Sequence, residues 1–120
     1  MSTDTRFPQS VYGTGSEPDP RFSLANERTY LAWVRTSLAL FAAGVALEAL
    51  EVPVAPGFRA GSAAVFVGLG FIAAVQSWVG WMRTERALRE GRSLPGSSIG
   101  IVVVSGVAVG MLLLVAGMFV

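Results

Sequence analysis

Three long apolar stretches follow one another along the chain, at about residues 30–47, 60–82 and 99–120. Each is close to the ~20 residues that an α-helix needs to cross about 30 Å of hydrocarbon. The third stretch has no charged residue and no polar face, which argues against a helix of a soluble bundle. The pattern therefore predicts an all-α integral membrane protein with three transmembrane helices. The predicted helices cover about 20–48, 60–91 and 98–120.

The first nineteen residues have a different composition. They contain several Pro, Gly, Ser and Thr residues and no apolar run, which is typical of a chain that buries no core. They also lack a basic start followed by an apolar core, so no cleavable signal peptide is predicted. The sequence thus predicts a flexible cytoplasmic tail over residues 1–19 and one three-helix membrane domain over residues 20–120.

Charged residues concentrate in the segments between the apolar stretches. Four arginines lie in residues 83–92, whereas residues 48–59 carry one arginine and two glutamates. Short loops rich in Lys and Arg stay in the cytoplasm. We therefore expect the second loop and the N-terminus on the cytoplasmic side and the C-terminus outside. Four aromatic residues fall near the same predicted boundary, as in an aromatic belt: Tyr30, Trp33, Trp78 and Trp81.

Composition narrows the chemistry. The 120 residues include nine Arg but no Lys, His or Cys, and the net charge is only +1. Disulfides, thiolate metal sites and histidine catalysis are thereby excluded. We find no nucleophile, metal cluster or phosphate-cradling loop in the sequence, so neither an enzyme nor a cofactor is predicted. The near-neutral charge gives no reason to expect nucleic acid.

Three arginines form the most informative pattern. Arg21, Arg28 and Arg35 are spaced seven residues apart, which places them on one helical face at intervals of roughly 10 Å. A face of small side chains is either close helix packing or the wall of a narrow passage. Small residues continue this face: Ala39, Ala42, Ala46 and Ala49.

The depth of Arg35 in the membrane leaves two interpretations. Only residues 36–47 separate Arg35 from Glu48, and this is about 18 Å of helix against ~30 Å of hydrocarbon. One of the two charges should therefore approach hydrocarbon depth, where an Arg costs ~2.5 to 3.5 kcal/mol and should face protein or water. Alternatively, the long side chain of Arg35 bends back to the headgroups.

Polar residues on all three helices are predicted near the depth of Arg35. They are Thr36, Gln76 and Ser105, and they could form a hydrogen-bonded layer that holds the arginine. The alternative is a set of ordinary interhelical contacts worth about 0.6 kcal/mol each. Small residues four apart, at Gly106 and Gly110, also predict a helix-association face, either within one chain or between chains.

Residues 19–38, DPRFSLANERTYLAWVRTSL, carry a family resemblance. The core Asn-Glu-Arg-Thr-x-Leu-x-Trp, from Asn26 to Trp33, resembles the hallmark of the YidH-like family of small three-helix bacterial inner-membrane proteins of unknown function. A looser similarity extends to residue 120. The resemblance implies a multi-pass protein of the bacterial cytoplasmic (inner) membrane.

The same fold resembles the membrane subunits of the vacuolar transporter chaperone complex, which makes polyphosphate and threads it through a ring of such units. That resemblance implies that Arg21 and Arg28 line a channel at its cytoplasmic side, with Glu27 beside them. Arg35 departs from this branch, because Trp-x-Arg-Thr-Ser is the pattern of the bacterial branch.

Two functions remain open on the sequence. The first is a homo-oligomeric pore for inorganic anions or polyphosphate, lined by Arg21, Arg28 and Arg35 as stacked rings. The second is a non-conducting membrane scaffold or regulatory subunit whose arginines bind anionic lipid headgroups at ~1 kcal/mol per charge. The direction in which the arginine face points distinguishes them.

Overall fold

The computed structural model describes residues 5–96 and 98–120. The chain forms a short helix α1 (Gln9–Tyr12) and three long helices, α2 (Pro20–Ala49), α3 (Pro56–Glu90) and α4 (Ile99–Met118). All three long helices are long and apolar enough to cross a membrane, and the described residues contain no strand. The predicted all-α fold with three spanning helices is confirmed, whereas its homo-oligomeric state stays a prediction. The main difference in bounds is that α3 begins at Pro56 rather than near residue 60.

The ends of the helices follow from local sequence. Asp19 caps α2 by accepting a hydrogen bond from the backbone N–H of Arg21 (2.9 Å), and Pro20 occupies the first turn, where its missing N–H costs nothing. Pro56 starts α3 in the same way. The end of α3 is set by Gly91, whose φ of 67° is left-handed and is tolerated by glycine.

The helix α3 lies between α2 and α4 and packs against both. A Cβ at Gly70 of α3 would lie 2.9 Å from the carbonyl oxygen of Ser37 in α2, so the two backbones touch there. On the other side, Gly106 and Gly110 of α4 receive Leu69 and Phe66 of α3. The association face predicted at these two glycines is thus used within the chain. The core is formed by buried residues of all three helices: Leu40, Phe66, Leu69, Ala73 and Val103.

The three helices differ in length, which produces two unlike ends. The 20 residues of α4 span about 30 Å, the thickness of the hydrocarbon layer. The 30 residues of α2 and the 35 of α3 both extend past the start of α4. We call this extended part, with the N-terminal residues and the α3–α4 loop, the basic end. It carries seven of the nine arginines: Arg6, Arg21, Arg28, Arg83, Arg86, Arg89 and Arg92.

The N-terminal residues lie against the basic end of α3. The sequence predicts a flexible tail over residues 1–19, whereas residues 5–19 in the structure include α1, and Val11 is fully buried. Residues 1–4 lie outside the described residues. Main-chain groups form part of the contact, since the Arg89 side chain donates to the carbonyl oxygens of Thr14 (2.9 Å) and Tyr12 (3.0 Å). Hydrophobic patterning does not reveal such contacts.

Candidate functional site

One side of α2 faces α3. The residues on this side, which we call the seam, recur every three or four positions, as expected of a helix–helix interface. This side of α2 begins with the polar residues Ser23 and Asn26 and continues with mainly apolar and small residues. The first part of the family-like signature is therefore also part of the helix interface. The residues of α2 that lie on this seam, all buried or half-buried, are Ser23, Asn26, Tyr30, Trp33, Ser37, Leu40, Gly44 and Leu47.

A buried carboxylate joins α2 to α3 at the basic end. Glu85 is only 3% exposed. Its Oε2 accepts a hydrogen bond from the Ser23 hydroxyl (2.7 Å), and its Oε1 accepts one from Asn26 Nδ2 (3.1 Å). Asn26 Nδ2 also donates to the carbonyl oxygen of Trp81 (3.2 Å). We call Ser23, Asn26 and Glu85 the carboxylate cluster. Because a buried carboxylate needs donors, the cluster ties the two helices together.

The opposite side of α2 carries the predicted arginine stripe. Arg21, Arg28 and Arg35 are all exposed, and they lie away from α3. Arg21 pairs with Asp19 (Nη2 to Oδ2 2.8 Å). Within residues 5–96 and 98–120, Arg28 and Arg35 have neither a hydrogen bond nor an ion pair. We call these three residues the arginine face.

Two further features flank the arginine face. Glu27, which the resemblance places beside Arg28, is exposed too. Large apolar side chains also run along α2 next to the arginines and are exposed: Leu24, Leu31, Leu38 and Val45. The outer side of α2 is therefore a mixed surface of cations and lipid-compatible side chains.

The register of the helices shows how deep Arg35 lies. Its neighbours Trp33 and Thr36 line a groove together with Gly100 and Val103 of α4. The uncharged α4 is about as long as the hydrocarbon layer is thick, so its first turn marks the membrane boundary. Arg35 is therefore level with this boundary, close enough for its side chain to reach the headgroups.

The other charge of the pair, Glu48, lies near the opposite boundary. Its Oε1 is 3.6 Å from Nε of Arg59. Two residues further along α3, a Cβ at Gly61 would be 3.8 Å from Leu113, which precedes the end of α4 at Met118 by more than one turn. A Cβ at Gly117, in the last turn of α4, would also meet Phe58, the neighbour of Arg59. Glu48 therefore lies close to this end of the bundle, and its charge is partly neutralised by Arg59.

The predicted polar layer is not assembled in the structure. Gln76 lines a cavity with Trp33, and Thr36 lines the neighbouring groove. Ser105 is exposed and precedes Gly106, which packs on Leu69; since Leu69 is seven residues from Gln76, the two levels are about 10 Å apart. In the part of the chain that the structure describes, none of the three donates to or accepts from Arg35.

Four aromatic side chains form a group at the basic end, next to the carboxylate cluster. The rings of Trp78 and Trp81 stack with centroids 5.4 Å apart, and Tyr30 meets both at 6.4 and 6.3 Å. Tyr12 of the N-terminal residues adds to the group at 6.1 Å from Trp81. Such amphipathic rings favour the headgroup region of a bilayer, which agrees with the boundary set by α4.

An ion pair between Glu17 and Arg89 links the N-terminal residues to α3, and a second pair, between Glu17 and Arg6, lies within the N-terminal residues. Glu17 Oε2 accepts from Arg6 (2.6 Å) and from the buried Arg89 (3.2 Å). The hydrogen bond from Arg6, helped by the one from Arg89, holds the pKa of Glu17 below its ordinary value. Burial, together with the nearby carboxylate of Glu85, raises the pKa of Tyr12.

Acid should therefore loosen the N-terminal residues. Because the folded-state pKa of Glu17 lies below 4.5, its contribution to docking is complete above that pH and is lost as the pH falls through the folded-state pKa. We expect the hydrogen-exchange protection factor of the Ser16 N–H, which donates to Arg89 O (2.9 Å), to fall as the pH is lowered below 4.5. Glu17→Gln should show lower protection without this pH step; an equal step in both proteins would contradict the assignment.

Comparison with known proteins agrees with this architecture. Residues 21–87 match the family described as Domain of unknown function (DUF202). The chain is 39% identical over 106 residues to Inner membrane protein YidH of Escherichia coli (strain K12), covering 82% of this chain and 92% of that protein. It is 40% identical over 106 residues to an uncharacterised protein of Mycobacterium tuberculosis (strain ATCC 25618 / H37Rv), covering 82% and 86%. No solved structure matches.

Fold and site together define a small multi-pass membrane protein with three spanning helices and one basic end. The chain belongs to the YidH-like family with the DUF202 domain, as its signature residues predict. The membrane location of YidH and the three spans make it a multi-pass inner-membrane protein.

Proposed function

We propose that this protein is a binding protein rather than an enzyme, and that its arginine face holds the phosphate groups of anionic lipids at the membrane surface. The observation that carries the proposal is the position of Arg28 and Arg35. Both are exposed and have no partner among the described residues, and Arg35 is level with the first turn of α4. Cations at this level attract anionic headgroups at ~1 kcal/mol each.

The surface around the arginines supports lipid rather than water as the neighbour. Leu31 and Leu38 lie beside Arg28 and Arg35 on the outer side of α2 and are 51% and 64% exposed. Large apolar side chains suit acyl chains, whereas a water-filled passage favours small or polar ones. A non-conducting scaffold or regulatory subunit would use this surface to recruit anionic lipid around itself.

The basic end is assigned to the cytoplasmic side in this proposal. Four arginines in residues 83–92 against one in residues 48–59 support this orientation. The chain contains no cysteine, so single cysteines report topology directly. In spheroplasts, an impermeant maleimide should label Leu50→Cys and leave Ser93→Cys unlabelled; the reverse pattern would overturn the orientation.

Loss of two arginines should weaken lipid binding strongly. At ~1 kcal/mol per arginine, Arg28→Ala combined with Arg35→Ala should lower the affinity for short-chain phosphatidylglycerol about 25-fold. The affinity is measured by native mass spectrometry in a neutral detergent, with phosphatidylcholine as the reference lipid. Arg59→Ala removes the same charge at the other end, where Glu48 is the partner (3.6 Å), and should change the affinity less than twofold. Equal affinities in the double variant and the parent would contradict the proposal.

An anion-conducting homo-oligomer is the second candidate. One observation favours it: Ala39 and Ala42 continue the arginine face and are exposed, which suits either close packing between copies or a narrow passage. The same double variant separates the candidates in proteoliposomes. Chloride or phosphate efflux that Arg28→Ala with Arg35→Ala abolishes would establish the pore, and absence of efflux from the parent protein would eliminate it. The polyphosphate form of this candidate rests on the resemblance alone.

A further inference from the structure

A cavity lies inside the bundle near the membrane boundary, behind the arginine face. It is enclosed by α2, α3, the α3–α4 loop and the first residue of α4, and its volume is about 120 Å³. Trp33 and Trp81 provide aromatic walls, Gln76 and Thr84 provide polar groups, and Arg83 also lines it. Asn26 of the carboxylate cluster also lines the cavity, whereas no residue of the arginine face is among its described lining residues.

Several polar groups that line the cavity are hydrogen-bond donors without an acceptor among the described residues. The Gln76 carboxamide, the Thr84 hydroxyl and the Arg83 guanidinium make no hydrogen bond within residues 5–96 and 98–120. The indole N–H of Trp81 is also without an acceptor among these residues. Unsatisfied donors at partly buried positions favour a ligand rich in acceptors.

The charge of the residues that line the cavity favours an anionic ligand. Arg83 is the charged residue that lines the cavity, and no carboxylate is among the described lining residues. The nearby carboxylate of Glu85 is held by Ser23 and Asn26 (2.7 and 3.1 Å), so its charge is committed to the interface between α2 and α3. An arginine with several neutral donors is a typical phosphate-binding set.

Size and depth agree with this chemistry. A cavity of about 150 Å³ accepts a benzene molecule, so about 120 Å³ accommodates a phosphate group. Ile99, the first residue of α4, also lines the cavity, which places it at the level where lipid phosphates lie. Pro95 and Gly96 of the α3–α4 loop border it as well, so the cavity is also next to a loop from which free phosphate can enter.

We propose that this cavity binds one phosphate group, donated by a lipid headgroup or by a free phosphate, through Arg83, Gln76 and Thr84. This site is separate from the arginine face and does not depend on the proposed function. Trp33 and Trp81 line it, so their fluorescence reports occupancy.

Filling the cavity tests the proposal. Gly80 lines it, and a Cβ at Gly80 would have only the flexible Gln76 Nε2 within 4 Å, at 3.3 Å. Gly80→Leu therefore occupies the space without moving a helix. Gly68→Leu is the matched control on the same helix, because a Cβ at Gly68 meets nothing within 4 Å. Arg83→Gln is a second variant that removes the exposed charge while leaving the volume.

Two titrations identify the source of the phosphate. Inorganic phosphate is added to the full-length protein in phosphatidylcholine nanodiscs, and the fraction of phosphatidylglycerol in the nanodiscs is raised in a parallel series; both use the Arg28→Ala, Arg35→Ala background, which removes the arginine face. We expect a saturable change in tryptophan emission in at least one series, at least tenfold weaker in Gly80→Leu and Arg83→Gln, and within twofold of the parent in Gly68→Leu. A response to inorganic phosphate identifies free phosphate, and a response to phosphatidylglycerol alone identifies the headgroup. No saturable response in either series, or one that Gly80→Leu and Arg83→Gln retain, would overturn the proposal.

Discussion

Replacing Asn26 by Ala is expected to lower the free energy of unfolding by about 2 to 3 kcal/mol. Asn26 Nδ2 donates to Glu85 Oε1 (3.1 Å) and to the Trp81 carbonyl oxygen (3.2 Å), and Asn26 is 7% exposed. Among the described residues, its removal leaves the buried carboxylate with the Ser23 hydroxyl as its one remaining donor (2.7 Å). A buried charge that loses a donor costs more than an ordinary interhelical hydrogen bond, which contributes ~0.6 kcal/mol in membrane proteins.

The neighbouring residue supplies the control for this experiment. Glu27 follows Asn26 in the signature but is exposed on the other side of α2, so Glu27→Ala should stay within about 0.5 kcal/mol of the parent. Reversible unfolding in mixed micelles, followed by far-ultraviolet circular dichroism, gives both values. Equal destabilisation by the two substitutions would contradict the interface described for the carboxylate cluster.

Replacing Gly70 by Leu should cost about 3 kcal/mol or more. A Cβ at Gly70 would lie 2.9 Å from Ser37 O and 3.0 Å from Phe41 N, and both atoms belong to the backbone of α2. Neither can move aside as a flexible side chain would, so α2 and α3 must separate. We expect a large fall in thermal midpoint and a lower yield of folded protein from membranes.

Gly68→Leu provides a closely matched comparison for Gly70→Leu. The two positions are two residues apart on α3, yet a Cβ at Gly68 meets nothing within 4 Å among the described residues. A leucine there also has a higher helix propensity than glycine, by roughly 0.8 kcal/mol. The midpoint of Gly68→Leu should equal or exceed that of the parent; a similar fall in both variants would mean that α2 and α3 do not meet at Gly70.

The sequence predicted the spans well because membrane helices are specified by length and polarity alone. Arg21, Arg28 and Arg35 were also predicted to share one face, since seven-residue spacing fixes relative direction on any helix. The direction of that face in the bundle did not follow from spacing. It depends on which side of α2 packs on α3. The structure shows that side by the close approach of the two helices at Gly70 and Gly44.

Two features of the structure could not be predicted from the sequence, and each has a physical reason. The carboxylate cluster joins Ser23 and Asn26 to Glu85, which is 62 and 59 residues away, and nothing local marks such a pair. One signal was present, because Ser23 and Asn26 lie at helical spacing with the half-buried Tyr30 and Trp33. The N-terminal docking was missed because Arg89 binds main-chain carbonyls, which every sequence offers.

The predicted polar layer illustrates a third difficulty. Depth estimated along separate helices assumes that they start at the same level, whereas α2 and α3 extend past the start of α4. Ser105 consequently lies beside the Leu69 level and not beside Gln76. Errors of one or two turns of helix are enough to separate residues that a sequence places together.

The signature of this family has two sides in the structure, and we propose that they have different roles. Ser23 and Asn26 face α3 and hold the carboxylate of Glu85, whereas Arg28 and Arg35 are exposed on the other side without a partner among the described residues. The inner side stabilises the bundle, and in our proposal the outer side binds anionic headgroups.

The affinity for phosphatidylglycerol, measured on folded Asn26→Ala and Arg28→Ala, tests this claim most directly. We expect an affinity about fivefold lower for Arg28→Ala, from ~1 kcal/mol of lost headgroup attraction. For Asn26→Ala we expect an affinity within twofold of the parent. An unchanged affinity in Arg28→Ala, or an equal loss in both variants, would contradict it.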